Sequence, residues 1–318
     1  MRWISLALLV GLLGLGLVAV LVRGRDDAPD CTKSRRSGSG SLSGFVASLG
    51  QGETGCLSGH FAEDLTIRNG GIALRSAPGA RASIRGRLYV ADSANDVVVA
   101  GLDLDGRNAE RLPSPTITGD RVVFRDVDVT NGHTGICFAI GSSTGFGVAV
   151  DTVIERSRIH DCGRLPPTNH DHGIYLESSR NAVVRDNYVY GNADRGIQLY
   201  PDAQGSLIEH NVIDGNGEGI LFAGGGGKAS SGNVVGHNIV SNSTERHNVE
   251  ANWPPGNPVG TGNVVSENCL WLGARGNIGE QLGFAAEENI DADPGYADPA
   301  NGDFALDRGS PCAGSGPR

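Results

Sequence analysis

Lysine is nearly missing from this chain. Only Lys33 and Lys228 occur in 318 residues, and 36 acidic residues outnumber 26 basic ones, for a net charge of −10. Such a chain repels a phosphate backbone, so no nucleic-acid partner is expected. There is no CxxC spacing, which removes the common zinc sites. The run GGGGK at 224–228 lacks a Ser or Thr after its lysine and a following helix, so it is not a phosphate loop. Aromatic residues make up 5%. Beyond the N-terminus no stretch is long and periodic enough for a helix, which leaves strands and turns.

Glycine is plentiful, at 49 residues. It has no three-residue period, which excludes collagen, and it suits a fold with many tight turns. The one long apolar run, Trp3–Val22, carries no charge over twenty residues and would span roughly 30 Å as a helix. It reads either as an uncleaved membrane anchor or as a cleaved signal peptide. All six cysteines follow it. Disulfides among them imply an oxidising compartment. The sequence leaves their pairing open; neighbours in sequence (31–56, 137–162, 269–312) are the working expectation.

After a polar stretch the chain repeats itself. The segments VVVAGLDLDG (97–106), VVFRDVDVTNG (122–132), VIERSRIHDCG (153–163), VVRDNYVYGN (183–192) and LIEHNVIDGN (207–216) align, followed by VVGHNIVSN (234–242) and VVSENCLW (264–271). A marker position falls at Leu102, Val127, Ser157, Asn187, Asn211, Asn238 and Asn268, spaced 24 to 30 residues apart. Short alternating runs at such a period predict stacked coils of parallel strands. Identical asparagines ~4.8 Å apart in such a stack can hydrogen-bond along it, and asparagine also suits a turn with positive φ.

These repeats resemble the right-handed parallel β-helix proteins of the pectate-lyase-like superfamily. The tail DPGYADPANGDFALDRGSPCAG (293–314) resembles the ending of many secreted members, and ASLGQGETGCLSGHF (47–61) resembles the capping segment before their first coil. The expected organisation is an apolar segment at 1–22, a polar linker at 23–44, an all-β solenoid at 45–290 and a C-terminal cap or tail at 291–318. The resemblance implies a polysaccharide ligand and a body outside the cytoplasm, membrane-held or secreted, and we expect a monomer.

A second motif follows the marker: TGICFA (134–139), HGIYLE (172–177), RGIQLY (195–200) and EGILFA (218–223). Its alternation assigns Ile136/Phe138, Ile174/Leu176, Ile197/Leu199 and Ile220/Phe222 to the core and turns the residues between them outward, Cys137 included. Thr134, His172, Arg195 and Glu218 would form one column, and His133, Asp171, Asp194 and Gly217 another. Marker-to-glycine distance is 8 or 9 residues in three coils and 16 in the His172 coil. The extra residues, RLPPTNH (164–170), read as a loop pushed out of the coil, where sites are commonly built.

The candidate site gathers on that face. For a uronate lyase, which the resemblance suggests, His172 would be the base, Arg195 a clamp for the substrate carboxylate, and Tyr175 or Tyr200 a proton donor. Asp171 and Asp194 would share a Ca²⁺, with Asp194 also near the chemistry. His170, Glu177, Gln198, Tyr200 and Glu218 would bind substrate. Some lyases of this superfamily use a lysine base, which the body lacks apart from Lys228; an arginine base would fall to Arg195. A glycoside hydrolase would use Asp171 with Asp194, or Glu177 with Glu218. That branch carries Asn-Thr-Asp, paired-Asp and Gly-His-Gly motifs that are missing here. The other alternative is a non-catalytic carbohydrate-binding or structural envelope protein. ERHNVEANW (245–253), with Glu245, Arg246, His247 and Glu250, reads as another irregular loop, either a side wall of the same groove or, preferably, a solvated connection.

Overall fold

Each coil contributes one short strand to each of three sheets, joined by turns of a few residues. The computed structural model describes residues 30–318 apart from Ser143 and Phe146, and Cys31–Arg318 form one unit. The expected N-terminal span lies outside the described residues. The first sheet has 11 strands, from Lys33–Arg36 to Phe284–Glu287, stacked in chain order. The second has 10, from His60–Ala62 to Ile290–Asp291. The third also has 10 and includes Ile174–Arg180, Arg195–Gln204, Glu218–Gly225 and Val249–Asn252. Strands of successive coils pair in parallel, so the fold is an all-β parallel β-helix.

Three differences from the sequence reading stand out at the ends. Lys33–Arg36, within the span read as linker, is already a strand and pairs with Thr54–Ser58. The N-terminal cap is the short helix Leu42–Ala47, whose Leu42, Phe45 and Val46 close the core; residues 54–58 and 60–62, read as part of a cap, are coil strands. The tail folds back beside the second sheet. Its antiparallel hairpin, Tyr296–Asp298 with Asp303–Leu306, sets Phe304 against Tyr188 and Tyr190.

The core is a column of stacked apolar side chains. Ile174, Ile197, Ile220 and Val249 align across four coils, as do Leu176, Leu199, Phe222 and Ala251, all buried. The preceding coil corrects the alignment. Phe138 and Ile140 pair with Ile174 and Leu176, so Ile136 is not the core partner, and Thr134 and His133 leave their columns. Cys137 faces no solvent; it is fully buried and bonded to Cys162. The other disulfides are Cys31–Cys56 and Cys269–Cys312, which matches the expected pairing.

The asparagine ladder is present and fully buried. Asn187 Nδ2 donates to Asn211 at 3.0 Å, Asn211 to Asn238 at 2.9 Å, Asn238 to Asn268 at 2.9 Å, and Asn268 to Asn289 at 2.8 Å. The positive φ falls one residue earlier, at Asp186, His210, His237 and Glu267. The asparagines are therefore chosen for their amides and not for their backbone: each satisfies buried groups that a turn would otherwise strand.

Candidate functional site

The site is built where the third sheet begins. Gly173, Gly196 and Gly219 open its strands. A Cβ on them would lie 2.8 Å from Asn192 Nδ2, 2.7 Å from Ile213 Cγ2 and 2.5 Å from Val240 Cγ1. No side chain fits there, and the residue before each glycine is turned out of the core. Three rows result. His172, Arg195, Glu218 and His247 form the first. Tyr175, Gln198, Leu221 and Glu250 are in direct register in the second. Glu177 and Tyr200 follow where a bulge shifts the pairing, and Ala223 and Asn252 continue the third row.

The loop at 164–170 does leave the coil, but its polar groups are spent on holding it down. The Asp194 carboxylate accepts the backbone N–H groups of Asn169, His170 and Asp171 at 2.7, 2.8 and 2.7 Å. Asp171 accepts from Arg164 Nε at 2.5 Å and Nη2 at 3.2 Å. Arg195 donates from Nη1 and Nη2 to the Asn169 carbonyl and side-chain oxygens at 3.0 and 2.6 Å, and from Nε to Glu218 at 2.8 Å.

That arrangement corrects four expectations. Asp171 and Asp194 do not share a cation, because their oxygens face an arginine and three amides. Among the described residues no three His, Cys, Asp or Glu side chains group as metal ligands. Arg195 is 3% exposed and is no free clamp for a substrate carboxylate. His172 is buried too, with Nδ1 lacking a partner. Burial, then Arg195 and His170, hold its pKa well below the ordinary histidine value. Such a ring stays neutral but is a poor and shielded base. Glu177 and Glu218 stand two coils and several residues apart and make no carboxylate pair, while His170 is exposed at the rim.

The reactive groups lie one coil further on. Asp194, Arg195 and Glu218 line a pocket of about 160 Å³ whose other walls are Pro167, Asn169, Glu245 and Arg246. Glu218 is 1% exposed, and its Oε1 has no donor partner. Burial pushes its carboxyl up to about 8; Arg195 opposes the rise and Glu250 adds to it. Burial acts on Glu250 in the same sense, but hydrogen bonds with Glu218 and His247 leave it below the usual carboxylate range. The two carboxyls are thus pushed in opposite directions, Glu218 toward the protonated form and Glu250 toward the ionised one. His247 Nδ1 lies 2.5 Å from Glu250 Oε2, and Arg246 3.7 Å from Oε1. Of the two readings of this segment, the side wall holds for Glu245 and Arg246, which line the pocket, and the preferred solvated connection does not. The signal for it was present in Val249 and Ala251, which alternate as Ile220 and Phe222 do; Asn248 in place of the glycine hid it.

Beside the pocket the open sheet face carries aromatic rings. Tyr175 and Tyr200 stack with centroids 6.5 Å apart at 15°, and Tyr175 also meets His172 edge-on at 5.5 Å. Burial, then Glu177 and Tyr200, raise the Tyr175 phenol far above its ordinary value, so it remains a donor. Gln198 is buried between them and the pocket, with Oε1 lacking a partner.

A family model described as a right handed beta helix region matches residues 116–277, half of the chain. The crystal structure of the pectate lyase Pel9A is similar with a TM-score of 0.56 at 13% identity, over 91% of this chain and 88% of that one. The A-module of the Azotobacter vinelandii mannuronan C-5 epimerase AlgE4 gives 0.44 at 14% identity, over 76% and 77%. A pectin methylesterase mutant bound to a hexasaccharide gives 0.44 at 13%, over 84% and 91%. No curated protein matches by sequence. At these identities the likeness is one of fold.

Proposed function

The chain belongs to the right-handed β-helix family, and on that premise we propose that it binds a carbohydrate polymer along the third sheet and cleaves it by β-elimination at a uronate. The observation that carries this reading is the meeting of two features on one face. Tyr175 and Tyr200 offer stacked rings to sugar faces, and at the start of the same strands a pocket is lined by Glu218 and the half-exposed Arg246, with the His247–Glu250 pair on the same segment as Arg246. Elimination needs a base and a positive charge beside the substrate carboxylate, and the segment 245–250 carries both types. A pectate lyase is built on the same fold, which supports an acidic polymer.

A glycosidase reading fits less well. Its two carboxyls stand about 5–9.5 Å apart with substrate between them, whereas Glu218 is buried on Arg195 and Glu250 is bonded to His247. A non-catalytic binding protein is favoured by one observation, the use of Asp171, Asp194 and Arg195 as loop anchors. The three disulfides support a location outside the cytoplasm. Residues 1–22 would hold the body at a membrane, or be cleaved to release it, and we propose a monomer.

The test is incubation with a panel of uronate polymers, following the ultraviolet absorbance of unsaturated uronate ends. New absorbance is the expected result. Binding without new absorbance or reducing ends would leave a carbohydrate-binding protein, and neither binding nor cleavage would overturn the proposal.

A further inference from the structure

Within the lyase reading, on which this inference rests, the residue that takes the proton is not fixed by the groups singled out in the sequence. His172 is buried beneath the loop. Glu218 is 1% exposed and is held by Arg195 Nε at 2.8 Å. His247 differs from both. Its side chain is 22% exposed and its Nδ1 is 2.5 Å from Glu250 Oε2. No described residue is a partner of its Nε2. A carboxylate that accepts from Nδ1–H fixes the tautomer and leaves the lone pair on Nε2.

The surroundings of Glu250 keep it in that role. Glu218 and Arg246 act on the same carboxylate, and Arg195 fixes Glu218 from behind at 2.8 Å. Arg246 lines the pocket, and its side chain is 34% exposed. A base, its positioning carboxylate and an arginine for the substrate acid group thus come from one six-residue segment, 245–250.

We infer that His247 is the base of the elimination, that Glu250 positions it, and that the preferred substrate is a polymer of D-uronates with equatorial O4, as in mannuronate or glucuronate chains. Nε2 removes the proton on C5, and the electron pair passes into the carboxylate group that faces Arg246. It returns to form the C4=C5 double bond as the C4–O4 bond breaks. The imidazolium then gives the same proton to the departing O4. One proton moves from carbon to oxygen and no further reagent is consumed. Tyr175 cannot supply that proton, because it lies three strands from Glu250 in the same row, ~14 Å away at the usual strand spacing. A single group serving as base and acid requires the C5 hydrogen and O4 on the same side of the ring. Equatorial O4 in the D-mannuronate and D-glucuronate rings meets that condition; axial O4 in D-galacturonate does not.

The experiment compares the full chain in mild detergent with His247→Ala, His247→Gln and Glu250→Gln, on mannuronan, a glucuronate polymer and polygalacturonate. The expected result is unsaturated ends from the first two polymers, a loss of at least a hundredfold in kcat in both His247 variants, and a tenfold or greater fall in kcat with little change in KM for Glu250→Gln. His247→Gln keeps the side-chain volume and guards against a folding defect in the alanine variant, with thermal melting as the check. Full activity in either folded His247 variant would overturn the inference and leave the lyase reading intact. Cleavage of polygalacturonate alone would also overturn it. No unsaturated ends on any polymer would overturn the lyase reading itself.

Discussion

The segments 164–171 and 245–250 occupy equivalent places, each leading into a strand of the third sheet, and each carries histidine, arginine and carboxylate. Their chemistry differs because their hydrogen bonds do. In the first, Asp194 accepts three backbone amides, Asp171 holds Arg164, and Arg195 holds Asn169. In the second, Glu245 is exposed, Arg246 is half-buried, and the Glu250–His247 pair keeps one imidazole nitrogen toward solvent. A polar-rich loop is a candidate site only after its own backbone has been satisfied. Here the first loop consumes its polar groups and so forms a rigid wall for the second.

The largest effect that tests this contrast is expected from Glu218→Ala. Above about pH 8, where Glu218 is ionised, it removes the charged partner of the buried Arg195 guanidinium and leaves Nε without an acceptor, and loss of one partner of a buried ion pair costs about 3–5 kcal/mol. Urea unfolding measures it, and a loss under about 1 kcal/mol would show that Arg195 finds another partner. Asp194→Ala removes the acceptor of three amides and should cost about 2–3 kcal/mol. Limited proteolysis should then open the 164–170 loop first, and a loop that stays resistant would remove Asp194 as its anchor.

The pH dependence is smaller and has a definite sign. The Glu218 carboxyl is ordinary at 4.5 when unfolded and about 8 when folded. Between those values the native state binds more protons, so this group makes stability fall as pH rises from about 5 to about 8. Glu250, held low, is ionised in both states across that window. His172, also held low, works in the opposite direction below about 6.5. The readout is therefore the difference between wild type and Glu218→Gln, which should lose the fall toward pH 8. Parallel curves would show that Glu218 does not bind its proton more tightly in the folded state. Tyr200→Ala, which removes half of the aromatic stack, should weaken polymer binding about two- to tenfold, from ~0.5–1.5 kcal/mol of ring contact. The smallest effect belongs to His170→Ala. Its side chain is exposed, and a stability change within about 0.5 kcal/mol is expected.

Several of these features were legible before any coordinates. The spacing of Asn187, Asn211, Asn238 and Asn268 gave both the coils and the ladder, because a stacked fold repeats its chemistry at each turn. The cores of the 174, 197 and 220 strands followed from alternation. The coils before residue 97 were harder to see: their second-sheet turns lack the asparagine marker, as at Gly59 before His60–Ala62. The coil at 138 was misaligned by two residues, since Thr134-Gly135-Ile136 imitates the His172-Gly173-Ile174 motif while Gly135 lies in the preceding turn. Tyr175, Gln198 and Tyr200 were placed on the correct face. His247 and Glu250 were legible only as part of an irregular loop and not as site residues, because Asn248 replaces the glycine that marks the other strands.

The sequence by itself determined the parallel β-helix and most of its register, since those depend on periodicity; the disulfide pairs matched the neighbour scheme but were fixed only by the structure. Only the tertiary structure decided which polar groups are spent and which are available. That choice depends on contacts between coils more than twenty residues apart: Asp194 reaching the amides of 169–171, Arg195 between Asn169 and Glu218, and Glu218 against Glu250. A hydrogen-bond partner removes a side chain from chemistry, and no local pattern in the chain records where that partner will come from.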